Sequence, residues 1–473
     1  MSFWPKRPVI YEIHTARFLY QLRKSREEVD LGTLPEGLWR EIASQGVDAV
    51  WLMGIWQRSP RGQELLLGTR TEGGGSPYCI RNYEVEESLG GLEGLRKARE
   101  VLSRYGLKLL LDFVPNHTAP DHPWTETHPE FYVSGEGLMP EESLLCGGRL
   151  IARGRDPFFP PWPDVVQLNA FHPGYRQAAV DTLLKIADYC DGVRCDMAML
   201  FLNDVFEQVW GKWVRETPRG EFWEEVIGAV KEKYPSFLFL AEVYWGRERD
   251  LINLGFDYCY DKALYDLLIE ARIPSLRRHL SAEVSYQDSL CRFLENHDEE
   301  RAARVFPLGK LEAANIVTAT LPGALLFYDG QWEGRCSNLP VYVLEIPPEN
   351  PNDKLKNFYR FLTNLRRQDV LKYGTWQLLP PFQTWPDNTS GENLFAWSWR
   401  LGEERLMVVV NYSPWAAQGR LTLEIEAKED KILHLYDVAA NYVYPRRVSE
   451  LNSPGLFVDL PPWGYHVFFF SLL

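Results

Sequence analysis

Gly192-Val193-Arg194-Cys195-Asp196 is a short apolar stretch that ends on a carboxylate. Similar strand-like runs carry Asp112, Glu242 and Asp298 at or just past their ends. Their separations suit consecutive turns of a β/α barrel, in which a carboxylate at the carboxyl end of a strand faces the rim where such folds do their chemistry. Acidic residues also cap the helices that follow strands, and any one of the four admits that reading. Four meeting at one rim would raise one another's pKa and bear desolvation as well, a cost that calls for a purpose.

Working outward, apolar and β-branched runs recur at Val9 to Ile13, Ala49 to Met53, Leu107 to Val114, Gly192 to Cys195, Phe237 to Ala241, Phe256 to Cys259, Ser289 to Leu294 and Ala324 to Phe327. Helical patterns lie between them at Glu93 to Arg104, Tyr175 to Tyr189, Glu221 to Lys233 and Leu311 to Thr320, with apolar residues at three and four residue spacing. Eight such units predict an α/β fold, a (β/α)8 TIM barrel; a doubly wound sheet produces the same alternation. Residues 1–117 and 171–375 are expected to form the barrel. The connection at 118–170 is rich in Pro, Gly and aromatic residues and lacks helical periodicity, so an inserted subdomain after strand 3 is expected there. After a helix at Asp353 to Arg367 the pattern changes to short alternating strands at Leu394 to Arg400, Arg405 to Tyr412, Arg420 to Ile425, Lys431 to Tyr436 and Gly464 to Phe470. Residues 376–473 therefore read as a C-terminal antiparallel β-sandwich domain.

Composition bounds the function. A chain of 473 residues with a net charge of −14 is poorly suited to phosphate backbones, which excludes nucleic acid and anionic membrane as expected partners. No apolar run reaches the roughly 20 residues of a membrane span, and the first residues carry Lys6, Arg7, Glu12 and Arg17 rather than an apolar leader. Seven cysteines without CxxC spacing suit free thiols of a reducing compartment, so a cytoplasmic location is expected. Aromatic residues make up 14% of the chain and leave rings to line a cleft; Trp162, Phe158, Phe159, Trp245 and Trp332 are the candidates. The Gly-rich stretch from Thr71 to Ser76 lacks the Lys-Ser/Thr of a phosphate loop, and neither G-x-S-x-G nor H-E-x-x-H occurs.

The strand-end segments suggest one chemistry. A retaining glycosidase uses one carboxylate as nucleophile and a second carboxyl, about 5 to 5.5 Å away, as proton donor. Arg194 stands two residues before Asp196 and points to the same face of its strand, where it would keep Asp196 ionised. Glu242, partly desolvated beside another carboxylate, would keep its proton for the leaving group.

From about Tyr11 to Gln331 the chain resembles the α-amylase superfamily, glycoside hydrolase family 13. The resemblance rests on four ordered motifs, DFVPNH at 112–117, GVRCDMAML at 192–200, AEVYW at 241–245 and FLENHD at 293–298. Weaker matches are GVDAVWLMGIW at 46–56, SPYCIRNY at 76–83 and PGALLFYDGQ at 322–331. It implies Asp196 as nucleophile, Glu242 as general acid/base and Asp298 as the third carboxylate, with His117, His297 and Tyr78 binding the sugar at subsite −1 and Asp112 paired with Arg194. The implied activity is hydrolysis of α-glucosidic bonds in oligosaccharides or α-glucans through a covalent glycosyl-Asp intermediate. Transfer to an acceptor sugar, or isomerisation such as trehalose formation, is the alternative, and a non-catalytic carbohydrate-binding or partner subunit is a third reading.

Two departures bear on that resemblance. Met199-Leu200 stands where amylases commonly have Lys-His, which points toward short oligosaccharides or transfer. Val166-Gln167-Leu168-Asn169 lacks the Asp of the family's Leu-Pro-Asp-Leu-Asn-like segment, and Asn116 alone holds a calcium-ligand position, so no metal and no cofactor is expected.

Overall fold

The computed structural model describes residues 4–26, 28–68, 75–135, 137–218, 220–425 and 430–472. Most of the Gly-rich stretch, residues 71–74, lies outside them. Eight parallel strands close into a barrel: β1 (Val9–His14), β2 (Ala49–Met53), β3 (Lys108–Phe113), β4 (Gly192–Cys195), β5 (Leu238–Ala241), β6 (Tyr258–Tyr260), β7 (Leu290–Arg292) and β8 (Ala324–Tyr328). Each strand neighbours the next in sequence, and β8 closes on β1. Nearly every strand residue is buried, as expected where helices cover the outside and side chains fill the inside, and this is why the strands read as continuous apolar runs. The (β/α)8 reading holds, and the doubly wound alternative falls because the sheet has no edge.

By internal contacts the chain divides into two compact units. The first comprises Met1–Trp4, Ile10–Tyr260 and Ser337–Pro348. Its helices include α1 (Thr15–Arg23), α2 (Gly91–Arg104), α3 (Pro173–Ala187) and α4 (Phe222–Lys233). α3 opens on Pro173, whose missing N–H is no loss in a first turn, and the His172 ring caps it by accepting from Tyr175 N. The 118–170 connection carries two antiparallel pairs, His117–Thr118 with Val166–Gln167 and the hairpin Ser143–Cys146 with Arg149–Ala152.

The register around β4 positions the chemistry. Arg194 lies opposite Asp112 of β3 and Leu240 of β5, and Cys195 lies opposite Ala241. Gly192 is required by closeness: a Cβ there would meet the Leu238 carbonyl oxygen at 2.6 Å. The ladder runs past the strand ends, with Asp196 N donating to Phe113 O and Glu242 N donating to Cys195 O. Both carboxylates are thus anchored by sheet hydrogen bonds rather than by loop conformation.

The second unit comprises Pro5–Val9, Asp261–Cys336 and Glu349–Leu473. It holds α5 (Leu308–Thr320) and α6 (Asp353–Arg366), the latter capped by the Asn352 side chain accepting from Leu355 N. Its antiparallel part has strands β9 (Thr375–Leu378), β10 (Leu394–Leu401), β11 (Glu404–Asn411), β12 (Ala417–Leu421), β13 (Ile432–Asp437), β14 (Tyr442–Arg447), β15 (Leu456–Leu460) and β16 (Tyr465–Ser471). The six-stranded sheet runs β9-β10-β11-β16-β13-β14, and β12 pairs with β15. One apolar core joins both sheets through Leu394, Met407, Leu421, Leu435, Val458 and Phe468, which is the sandwich the alternation predicted. The strand expected at Arg420 to Ile425 lies earlier, at Ala417–Leu421, and β9, β14 and β15 were not foreseen.

Candidate active site

Arg194 organises the first unit's half of the rim. Its side chain is fully buried, with Nη1 2.6 Å from Asp196 Oδ1 and Nη2 2.8 Å from Glu242 Oε2. The guanidinium carbon lies 5.1 Å from the Tyr78 ring centroid, 5.4 Å from that of Trp51 and 5.9 Å from that of Tyr260. Burial works against its charge, but Glu242, then Tyr78, Tyr260 and Asp196, outweigh it and hold the guanidinium well above its ordinary range. One permanent cation thus serves two buried carboxyl groups. Buried ion pairs seldom stabilise a fold after desolvation, so this arrangement is costly for stability and suited to chemistry.

The two carboxylates differ in their other partners. Glu242 Oε1 accepts from the Tyr244 hydroxyl at 2.8 Å, and Oε2 accepts from Met197 N at 2.6 Å. Met197 reaches it because its backbone is left-handed, at φ 43°, a conformation that costs a non-glycine residue roughly 1 kcal/mol or more and recurs at functional sites. Trp245, at φ 62°, is a second such residue three positions after Glu242.

Asp112 sits opposite Arg194 in register, and its carboxylate accepts from Trp51 Nε1 at 3.0 Å and Gly54 N at 2.7 Å. His117 is buried beside Trp162, with ring centroids 5.2 Å apart. In the second unit, the segment after β7 places His297 Nε2 3.0 Å from Asp298 Oδ2, with the histidine buried and the aspartate side chain 42% exposed. Asn296 Oδ1 accepts from the main-chain N–H groups of Asp298 and Glu299 and so fixes this turn.

The matching family model is that of the α-amylase catalytic domain, over residues 40–134. The chain is 27% identical over 353 residues to the α-amylase MalA of Haloarcula japonica, which covers 70% of this chain and 45% of that protein. It is 26% identical over 244 residues to the α-1,4-glucan:maltose-1-phosphate maltosyltransferase of Bifidobacterium longum, covering 49% of this chain and 29% of that protein. The chain thus spans less than half the length of both relatives. In fold it is similar to the noncanonic maltogenic α-amylase AmyB of Thermotoga neapolitana, at a TM-score of 0.73 and 20% identity, with 99% of each chain covered. These likenesses agree with the α-amylase resemblance that the four sequence motifs carry.

Several side chains here escaped the sequence reading. Tyr244 was legible in retrospect as the residue two places after Glu242, hence on the same side of an extended chain. Trp51 looked like an ordinary strand residue, Tyr260 lay just past the run expected at Phe256 to Cys259, and the Met197 N–H carries no sequence signal at all. Met199 and Leu200 are buried in a short 3-10 turn, Ala198–Phe201, so they belong to the core and say little about substrate choice. Of the five rings expected in the cleft, Phe158, Phe159 and Trp245 are exposed, and Phe158 meets Trp245 edge to face at 5.0 Å. Trp332 instead packs on Phe327, at 5.9 Å. Among the described residues no helix is long and apolar enough to cross a membrane.

Burial lowers the imidazoles of His117 and His122 to about 4 from the ordinary 6.5, the former despite a hydrogen bond to the Tyr78 main chain. The unfolded chain takes these protons at about pH 6.5, whereas the folded protein resists them until about pH 4. The stability this represents is complete above pH 6.5 and is lost as pH falls toward 4, by about 3 kcal/mol for each group. Urea midpoints between pH 7 and 4.5 should therefore fall, and His122→Gln should flatten part of that slope.

Proposed function

We propose that this chain is a retaining glycosidase acting on α-glucosidic bonds of oligosaccharides or α-glucans. The observation that carries the reading is Arg194 joined to both Asp196 and Glu242 at the ends of adjacent strands. In this reading Asp196 attacks the anomeric carbon and forms a glycosyl ester, while the bond to the leaving oxygen breaks and that oxygen takes a proton from Glu242. Glu242 then deprotonates a water, which displaces Asp196 with net retention. Glu242 can hold its proton if the Tyr244 hydroxyl, 2.8 Å away, turns to accept it. Asp298 is proposed as the third carboxylate, gripping sugar hydroxyls, with Tyr78, His117 and His297 binding the same ring and Asp112 supporting Arg194. The substrate is a neutral carbohydrate, in keeping with the acidic chain.

Transfer is the second reading. The exposed Phe158–Trp245 pair offers apolar faces on which an acceptor sugar could stack, and a maltosyltransferase is among the relatives. A time course on maltooligosaccharides separates the two: free glucose and maltose appearing first supports hydrolysis, whereas longer products or isomeric disaccharides appearing first overturns it. Glu242→Gln should cut turnover of maltooligosaccharides by roughly 10²- to 10⁴-fold. It should spare glycosylation by an α-glucosyl fluoride, whose leaving group needs no proton; a burst of fluoride checks this. A cytoplasmic location is proposed on the seven free thiols, six of them buried.

A further inference from the structure

The superfamily resemblance places a calcium ligand at Asn116 and an acidic partner where Gln167 stands, and the residues present do not fit that ion. Gln167 is fully buried. Its Nε2 donates to Asn116 Oδ1 at 2.9 Å, Asn116 O at 2.9 Å and Leu168 O at 3.0 Å. Two of these acceptors are main-chain carbonyls, which cannot be flipped, so the group facing them must be a donor and the amide's orientation follows. Calcium would bring six to eight oxygens, carboxylates among them, to about 2.3 to 2.6 Å. Here the oxygens stand at hydrogen-bond lengths from a nitrogen, and none of them belongs to a carboxylate. Among the described residues no group of three or more His, Cys, Asp or Glu could hold a metal.

We propose that the Gln167 amide stands in for the cation, tying the loop after β3 to the 118–170 connection without metal. Three oxygens converge on one point in both solutions; an N–H2 group shares its two hydrogens among them, and a cation coordinates them. The clamp reaches the proposed sugar site, because Asn116 Nδ2 lies 3.3 Å from His117 Nδ1 and His117 pairs with Gln167 across the short antiparallel strands. It does not depend on the proposed activity, since its readouts are binding and unfolding.

Equilibrium dialysis and thermal unfolding test it on the full chain. The wild type is expected to bind no calcium tightly at micromolar concentration and to unfold at the same temperature in EDTA and in millimolar calcium. Gln167→Asp, which restores a carboxylate and removes the donor, is expected to unfold at a lower temperature in EDTA and to regain stability as calcium is added, with a concentration-dependent midpoint. Wild-type protein that binds one calcium, or loses stability in EDTA, overturns the proposal. A folded Gln167→Asp that stays indifferent to calcium overturns it too. Should that variant fail to fold, the wild-type measurements decide alone.

Discussion

Asp196→Asn is expected to lower turnover of maltooligosaccharides by about 10⁴-fold or more, the scale seen when a covalent nucleophile is removed. The substitution is nearly isosteric, and the introduced asparagine would keep the main-chain bond to Phe113 O and still offer an oxygen to Arg194. Folding should therefore be retained, with an unchanged circular dichroism spectrum, and the lost activity is chemical. Asp196→Ala opens space beside the anomeric carbon, so added azide should return part of the activity on an α-glucosyl fluoride and give a glucosyl azide of inverted configuration. Activity within tenfold of wild type in either variant would remove Asp196 from the nucleophile's role.

Arg194→Met is expected to produce the largest loss of stability of any single change at this rim, about 3 to 5 kcal/mol. Removing one partner of a buried ion pair leaves the other charge uncompensated, and here two carboxylates, Asp196 and Glu242, lose the same cation. Three aromatic rings that pack around the guanidinium lose their cationic partner as well. Urea denaturation at pH 7 reads the effect. Acidifying modestly should lessen the deficit, because protonating the abandoned carboxylates removes their charge. Arg194→Lys should recover only part of it, since an ammonium on a flexible stem cannot fork to two carboxylates in fixed directions. A loss of less than about 1 kcal/mol in Arg194→Met would mean that the trio is hydrated and not the desolvated cluster described here.

The barrel was legible because its strands are buried on both faces: runs such as Ala49–Met53 and Ala324–Tyr328 contain almost no polar residue, and their bounds were read to within about two residues. Prediction weakened where burial is one-sided. β14 is exposed along most of its length and carries Pro445, as an edge strand tolerates, so no apolar alternation marks it. β15 alternates in burial, yet Phe457 points outward and blurs the pattern that Val458 and Leu460 would otherwise set. The site divides in the same way. Asp196, Glu242 and Arg194 were readable from strand-end position and period two, whereas the Met197 N–H depends on a left-handed backbone that its side chain does not announce. Met199 and Leu200 show the opposite failure, since their place in the motif suggested a bearing on substrate choice while the chain buries them.

Asp196 is expected to carry the glycosyl ester during turnover. A fluorinated α-glucosyl fluoride, which forms the ester faster than water removes it, should trap the protein with one added sugar, and peptide mass spectrometry should place that mass on Asp196. A label on Glu242, on Asp298 or on no residue while the substrate is still turned over would contradict the account.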